Sequence, residues 1–366
     1  MKKDTYQTIT TMQYILTINA TQVGTGVLSL PRVLAEKAGT DGWISLLIGW
    51  FCSITASFFL VKTAKNYPND TLHELLIRLF GKYIGKFILI LYILYFAFYA
   101  WSVLINGMLY IKEWILPKTP DYIILFLFTI PTFIIVRNNI RIVGRYCELI
   151  FYMTLWIVLF FFIPLKEGNW LHFLPLLKEG WMPVFAAVPS TLFSFLGFEI
   201  AFILYPFLDK KHYAVSGIFI ANTLTMLFYL FSTVVCFFCI SPDSIIDFNQ
   251  PVLNLLKVIE FRFLERFDII LLAIYIFVVS TAWIPFIYGT VFCSSQLLKK
   301  IDHVSLLISF LLILIGATWW FHPNWSQSQT FEIALSIAGL GLAYIFPFLL
   351  WLFTLLHKRY FRREIP

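Results

Sequence analysis

Long apolar runs separated by short polar segments occupy the chain from about residue 9 to residue 356. Several runs exceed about 18 residues, the length that an α-helix needs to cross the hydrocarbon core of a bilayer. The pattern predicts ten transmembrane helices with little chain outside the membrane. The predicted spans lie near 9–33, 43–63, 86–111, 121–136, 144–164, 183–207, 214–240, 268–296, 304–321 and 331–356.

The middle of the first span is rich in residues that weaken a helix. It reads NATQVGTGVLSLP, with Gly24 and Gly26 one residue apart. Glycine costs about 1 kcal/mol against alanine inside a helix. Non-helical backbone survives in a bilayer only where it is buried in protein or lines a cavity. The stretch therefore predicts a break in the helix, and close packing of small residues is the structural alternative.

The sixth span has a similar interruption, SFLGFE, in which Gly197 stands beside the acidic Glu199. Two interrupted spans at corresponding places indicate inverted repeats of five spans each, near 9–164 and 183–356, with a ligand site at the midplane. Free N–H groups at a helix start suit a carboxylate, and carbonyls at a helix end suit an ammonium. The pair of breaks fits an α-amino acid or another small zwitterion.

Three other stretches carry polar side chains at helical spacing, which predicts faces turned away from lipid. Interhelical hydrogen bonds account for most of these side chains. Tyr95 and Tyr99 lie nearest mid-span, so we expect them to reach the ligand cavity. The three stripes are Thr10, Gln13, Thr17 and Thr21; Tyr92, Tyr95, Tyr99, Ser102 and Asn106; and Asn222, Thr225, Tyr229 and Ser232.

Two carboxylates are predicted to lie at membrane depth, where an acid is a functional hypothesis by default. Glu199 has three candidate roles, which are to bind an ammonium, to carry a proton, or to cap the second half-helix. Glu148 follows Arg145 by three residues near the start of the fifth span. That spacing favours an ion pair or a gate over ligand contact.

Composition and charge narrow the class of protein. The chain is 60% hydrophobic and 13% charged, which excludes a soluble domain. With a cytoplasmic N-terminus, most of the 27 lysines and arginines fall on the cytoplasmic side, which predicts an even number of spans and two cytoplasmic termini. The net charge of +7 therefore reflects topology and calls for no nucleic-acid partner. No nucleophile–base arrangement, metal cluster or cofactor motif is visible, so we expect no enzyme, metal or cofactor. Cys236 and Cys239 have the spacing of a redox or zinc pair, but no further zinc ligands are visible nearby. Apolar packing is therefore favoured over a disulfide or metal role.

Two segments of the first half of the chain read VGTGVLSLPRVLAEKAGTDGWIS and NYPNDTLHELLIRLFGKYIG. They resemble the B-subunits of bacterial spore germinant receptors. The resemblance continues through GRYCELIFY, FLPLLKEGWMPVF, FSFLGFEIAF and VIEFRFLERFDIILLAIYIF, so it covers nearly the whole chain. These subunits belong to the amino acid–polyamine–organocation transporter superfamily. The resemblance implies a single all-α transmembrane domain with a leucine-transporter-like fold, broken in helices 1 and 6.

The resemblance also implies a function and a site. B-subunits of this family are thought to sense an amino acid-like germinant in the inner membrane of the spore. Their partners are a receptor A-subunit and a lipoprotein C-subunit. The ligand cradle carried over by position comprises Thr21, Gly24, Thr25, Gly26 and Val27, facing Ser194, Phe195, Gly197, Phe198 and Glu199. Tyr95, Tyr99, Ser280 and Trp283 would supply its walls.

Two further functions stay open from the sequence. The first is an amino acid permease that uses the same site with alternating access. Several proton-coupled relatives place a lysine on the fifth span, whereas residues 149–164 contain no basic residue, which weighs against proton-driven accumulation. The second is a ligand-gated conduit for ions or water, which the Phe-rich spans 4, 5 and 9 do not line with polar groups.

Overall fold

The computed structural model describes residues 8–257, 267–298 and 301–361, and these residues are nearly all helical. The sequence predictions that rest on the two chain ends and on Lys299 and Lys300 lie outside the described residues. The helices are α1 Thr11–Gln22, α2 Gly26–Ala38, α3 Gly42–Asn66, α4 Leu72–Trp114, α5 Asp121–Val136, α6 Ile140–Thr154, α7 Ile157–Phe160, α8 Trp181–Ser194, α9 Ala201–Leu204, α10 Ala214–Cys239, α11 Pro242–Ile245, α12 Pro251–Lys257, α13 Phe267–Leu298, α14 His303–Phe321, α15 Trp325–Gly339 and α16 Phe346–Phe361.

Among the described residues, eight helical stretches are long and apolar enough to cross a membrane. The prediction of a multi-pass membrane protein is confirmed. Each of the ten predicted spans coincides with a helix or a run of helices. The count of ten stays a prediction, because α5 has only 16 residues and α1 only 12.

The first predicted span consists of α1 and α2 with a non-helical segment, 23–25, between them. A capping box starts α1, because Thr10 Oγ1 accepts from the N–H of Gln13 and the Gln13 side chain accepts from the N–H of Thr10. The N–H of Val23 closes the helix on the Asn19 carbonyl at 2.9 Å. By contrast, the side chain of Thr25 makes no capping bond to the start of α2.

The sixth predicted span is interrupted between α8 and α9. After Ser194 the chain turns at Gly197, whose φ of +125° is a conformation that L side chains rarely adopt. A short 3₁₀ turn over Phe198–Ile200 then leads into α9. Glycine at 197 is therefore a requirement of the backbone path and not merely of close packing.

The two interrupted spans are tied together where α1 begins. The N–H of Ile9 donates to the Phe207 carbonyl at 2.9 Å, and the N–H of Asp209 donates to the Ile9 carbonyl at 3.1 Å. These bonds form a short parallel bridge outside any sheet. This backbone pairing holds the two spans side by side at the start of α1.

Helix α1 occupies the centre of the bundle, and lipid-facing helices surround it. Every residue of α1 from Gln13 to Gln22 is buried, although half of them are polar. At the periphery, α14 exposes large apolar side chains such as Leu312 and Ile313. Soluble proteins show the opposite arrangement, with apolar side chains inside and polar ones outside. Polar residues inside and apolar residues outside are expected where hydrocarbon surrounds the protein, because polar groups then find partners only within it.

Candidate functional site

The two breaks touch each other through backbone. Thr21 Oγ1 donates to the Gly197 carbonyl at 3.1 Å and to the Ile18 carbonyl at 2.8 Å. A Cβ placed on Gly197 would lie only 2.8 Å from the carbonyl carbon and oxygen of Thr21. Because the obstructing atoms are backbone, no larger residue fits at 197 without separating the two spans. The geometry brings Thr21 and Gly197 together as the predicted cradle requires.

Gln22 links the breaks to α10 through a fully buried amide. Its Nε2 donates to the Phe195 carbonyl and to Asn222 Oδ1, both at 2.8 Å. Its Oε1 accepts from Thr225 Oγ1 at 2.7 Å, and the same hydroxyl accepts from Asn19 Nδ2 at 2.9 Å. The predicted stripe on the seventh span thus makes interhelical hydrogen bonds. Gln22 is not among the predicted site residues, although it lies inside the NATQVGTG stretch.

The carbonyls at the end of α1 accept hydrogen bonds from three buried tyrosines on three different helices. The bonds run from Tyr99 to Thr21 at 3.0 Å, from Tyr229 to Gln22 at 2.9 Å, and from Tyr275 to Gly24 at 2.6 Å. Breaking a helix in a membrane leaves such carbonyls without intrahelical partners, and a buried unpaired group costs about 1–3 kcal/mol. The phenol hydroxyls remove that cost without adding charge.

The carboxylate of Glu199 is completely buried at the break of the sixth span. Its Oε1 accepts from the Tyr95 hydroxyl at 2.6 Å, and its Oε2 accepts from the N–H of Gly197 at 2.9 Å. Within the described part of the chain, no lysine, arginine or histidine forms an ion pair with it. Glu199 therefore caps the backbone of its own break and has Tyr95 as its side-chain partner.

The start of α2 faces a vestibule of about 590 Å³ that Gly26 and Ser194 both line. Helices α2, α4, α8 and α15 supply the walls, which also carry Asn106 and Glu332. A Cβ on Gly26 would lie 3.3 Å from the Tyr229 hydroxyl and 4.0 Å from Ser194 Oγ. The first N–H groups of α2 thus lie at the meeting point of a polar vestibule, a hydroxyl from α8 and a phenol from α10.

The other cradle residues divide between the break and its surroundings. Thr25 is buried in the linker between α1 and α2. The ring of Phe195 meets Tyr229 edge-on at 6.0 Å, whereas the ring of Phe198 meets Tyr344 at 5.3 Å. Val27 lines a second, apolar cavity on the opposite side of α2 from the vestibule. These side chains support the break without all facing one space.

Ser280 and Trp283, the two residues expected from the eighth span, point to other helices. Ser280 Oγ lies 2.6 Å from the Tyr146 hydroxyl on α6. The Trp283 indole donates to Thr132 Oγ1 on α5 at 3.0 Å and stacks on Phe128. The structure therefore does not bring either side chain to the break.

A different face of α13 meets the break. Tyr275 bonds the Gly24 carbonyl, and Phe286 stacks on Tyr99 with ring centroids 3.9 Å apart. A Cβ on Gly24 would lie 3.3 Å from the Cβ of Ala282. Residues 275, 282 and 286 follow the i, i+7, i+11 spacing of one helix face, which is not among the faces predicted from the sequence. Because α13 is apolar on all sides, the sequence does not distinguish this face from the others, and only the packing identifies it.

Arg145 and Glu148 do not form the expected ion pair. Arg145 is exposed beside Arg137 and Arg141, whereas Glu148 Oε2 accepts a hydrogen bond from Gln13 Nε2 at 3.1 Å. Gln13 lies on the first predicted polar stripe, so Glu148 joins α6 to α1. The i, i+3 spacing permitted a local pair, but the neighbouring helix offered the buried donor.

Comparisons with known proteins agree with this architecture. Residues 8–326 match the family model described as spore germination protein. The chain is 31% identical to spore germination protein YndE of Bacillus subtilis over 80% of this chain and 82% of that protein. It is 27% identical to spore germination protein A2 of the same organism over 98% of both chains, and 22% identical to GerQB of Bacillus cereus over 95% of both.

A solved structure shows the fold. MhsT, crystallised in complex with L-phenylalanine, superposes with a TM-score of 0.67 over 92% of this chain and 87% of its own, at 13% identity. At that identity the likeness establishes the leucine-transporter-like fold and no more. The matching family consists of germination proteins and is not an enzyme family. On the matched length and on the identity to YndE, the chain belongs to the spore germination protein family.

Proposed function

We propose that this chain is the germinant-sensing membrane subunit of a spore germination receptor, and that it binds a small amino acid-like ligand between the two breaks. Its partners are then a receptor A-subunit and a lipoprotein C-subunit, in the inner membrane of the spore with both termini on the core side. Membership of the spore germination protein family supports this location and these partners. The geometry of the breaks supports the ligand.

The observation that carries the proposal is the uncapped start of α2 at the vestibule. Thr25 provides no side-chain capping bond, whereas the Thr10 side chain caps the N–H of Gln13 in α1, so the N–H groups at Gly26 and Val27 receive no bond from the residue at the N-cap. Such N–H groups, together with the positive end of the helix dipole, favour an anion. The Ser194 hydroxyl stands beside them. A ligand carboxylate that enters through the vestibule meets this helix start.

The end of α1 supplies the complementary half of the site. Its carbonyls at Thr21 and Gln22 are held by the hydroxyls of Tyr99 and Tyr229. A ligand ammonium binds to the same oxygens in competition with these phenols. It replaces neutral hydrogen bonds with charge-assisted ones, which are about twice as strong. Ligand binding therefore favours an arrangement in which the tyrosines have moved away from α1.

That exchange gives the ligand a preference between two arrangements, which is the requirement for a sensor. Tyr99 lies on α4 and Tyr229 on α10, so each displaced hydroxyl shifts a different helix. Movement of these helices is the signal that the partner subunits would receive. No coupling ion is needed for this step.

An amino acid permease is the second candidate, because the fold is that of a transporter and a vestibule reaches the break. The purified chain in proteoliposomes distinguishes the two. Labelled amino acids are presented as a panel, and binding and uptake are measured in the same vesicles with and without a pH gradient. Saturable binding without uptake is the expected result for the sensor.

Gly26→Leu provides the negative control for binding, and Gly316→Leu provides the matched control, because Gly316 lies on α14 with open space around it. Binding is expected to vanish in the first variant and to persist in the second. Accumulation driven by the gradient would identify a permease. Equal binding by both variants would remove the break of α1 from the site.

A further inference from the structure

The apolar cavity behind the first break points to an occupant from the membrane itself. Its volume is about 280 Å³, and it lies between α6, α7, α10 and α13. Its inner wall consists of Ala20, Val23, Val27 and Leu28, which flank the linker between α1 and α2 on the side away from the vestibule. We propose that this cavity holds the end of a lipid acyl chain.

The chemistry of the wall excludes a polar occupant. The polar side chains that line the cavity are all bonded within the protein: Asn19 to Thr225, Tyr275 to the Gly24 carbonyl, Thr154 to the Ile150 carbonyl and Thr281 to the Val278 carbonyl. Bound water needs two to four polar partners, and an apolar cavity stays dry. A charged headgroup or a zwitterion would have to leave water for a lining in which each of these four polar side chains already has a partner.

The mouth of the cavity opens toward hydrocarbon. Leu155 and Leu227 stand at its rim and are 53% and 52% exposed, whereas Val23 and Tyr275 on the inner wall are 7% and 9% exposed. Both rim residues belong to stretches long and apolar enough to cross a membrane. What surrounds an exposed leucine at that depth is the acyl chain of a lipid.

The fifth span forms one side of this opening. Helix α6 ends at Thr154 and α7 begins at Ile157, with Leu155 and Trp156 as a turn between them. Leu155 lies in this turn, and Ile157 and Val158 of α7 continue the lining. At the other end, Val252, Leu253 and Leu256 of α12 cover the cavity. The shape is a blind pocket, open to lipid and closed at its far end.

The size suits a chain end. An apolar cavity of about 150 Å³ in another protein is large enough to bind benzene. A void of twice that volume in a packed interior forfeits dispersion contacts along its whole lining unless something fills it. A flexible hydrocarbon chain fills an irregular space at the depth where such chains are present. Its end then packs against Val23 and Val27 and supports the backbone of the break from behind.

The test uses the full-length protein in nanodiscs whose phospholipids carry a diazirine near the end of one acyl chain. After irradiation, the adducts are mapped by mass spectrometry. The expected result is labelling of the inner wall at Val23, Val27 or Tyr275 in addition to the rim. A lipid with the diazirine next to the glycerol is expected to leave the inner wall unlabelled.

Two variants sharpen the test. Leu227→Trp places an indole in the mouth and is expected to abolish labelling of the inner wall, while labelling of Leu312 and Ile313 on α14 continues. Ile313→Trp makes the same change on an exposed position of α14 and is expected to leave the inner wall labelled. Adducts confined to exposed residues would overturn the proposal. So would inner-wall labelling that appears in nanodiscs but not in native spore membranes, because a partner helix would then fill the cavity.

Discussion

Glycine has a different structural role in each of the two breaks. At the first break, Gly24 and Gly26 have ordinary φ angles and provide space, for Ala282 on one side and for Tyr229 and Ser194 on the other. At the sixth, Gly197 has a φ of +125° and provides a backbone path pressed against Thr21. One break is open to a vestibule, and the other is closed on its own carboxylate.

The difference lies in how the freed backbone groups are satisfied. Glu199, two residues beyond Gly197, accepts a hydrogen bond from the N–H of that glycine. The sixth span therefore satisfies this freed N–H group with a side chain of its own. The first span relies on tyrosines from α4, α10 and α13 for its carbonyls, and Thr25 gives its next helix no cap. The proposed function therefore assigns the ligand-induced movement to the first break, whose hydrogen-bond partners come from other helices.

The largest loss of stability is expected for Gly197→Ala. A strained φ and a Cβ 2.8 Å from the Thr21 backbone together cost about 2–6 kcal/mol. Thermal unfolding in detergent should show a large fall in Tm. The matched variant Gly316→Ala has open space and an ordinary helical conformation, so it should leave Tm unchanged or slightly higher. A common Tm for both variants would contradict the account of the sixth break.

Gly26→Leu is expected to abolish ligand binding with a smaller change in Tm than Gly197→Ala. The side chain would occupy the space between Tyr229 and Ser194, where the ligand carboxylate is proposed to bind. Two hydrogen bonds to a charged group are together worth about 3 kcal/mol, so affinity should fall roughly 100-fold or more. Equilibrium binding of the active amino acid measures this, and an unchanged Kd would place the ligand elsewhere.

Tyr95→Phe and Glu199→Gln test the closed break through a double-mutant cycle. Tyr95→Phe removes the 2.6 Å hydrogen bond between these side chains, whereas Glu199→Gln replaces its carboxylate acceptor with a neutral amide. A hydrogen bond to an ionised carboxylate is worth about 1.5–3 kcal/mol, and one between neutral groups about 0.5–1.5 kcal/mol. The double variant should be less destabilised than the two single effects added together. Additive unfolding free energies would mean that the two side chains do not act as a pair.

Tyr229→Phe tests the first break. The variant is expected to lose stability but to gain ligand affinity, which distinguishes it from a substitution that only disrupts the fold. Loss of one hydroxyl bond to the Gln22 carbonyl should lower stability by about 0.5–1.5 kcal/mol. Because the carbonyl is then free for the ligand ammonium, affinity should rise. Tyr92→Phe loses an equivalent bond, to the Leu342 carbonyl outside both breaks, and should lower stability without changing affinity. Weaker binding by Tyr229→Phe would refute the exchange of phenol for ammonium.

The smallest effect on ligand affinity is expected for Trp283→Phe. The indole bonds Thr132 and stacks on Phe128, away from the break. Its replacement should lower stability, through loss of the hydrogen bond to Thr132 and of buried packing, and leave the Kd for the ligand unchanged. A large loss of affinity would return Trp283 to the ligand site. Phe286→Leu, which removes the ring stacked on Tyr99, is the comparison that should alter binding.

The sequence by itself determined the membrane-spanning segments, the positions of both interruptions and the inward direction of the polar stripes. Lipid imposes these features on composition directly, because hydrocarbon tolerates neither long polar stretches nor unpaired backbone. Glycine pairs and a mid-span acid stand out against such a background. The resemblance in the LPRVLAEKAGTDGWIS block added the family, which the comparisons support.

Only the tertiary structure decided which groups satisfy the broken ends. The hydroxyl donors lie 78 to 251 residues away from the carbonyls that they cap. Whether a helix presents Tyr275 and Phe286 or Ser280 and Trp283 depends on its rotation, which a uniformly apolar run does not encode. For the same reason Glu148 found Gln13 in place of Arg145. Local chemistry places a break in the chain, but packing selects the partners that fill it.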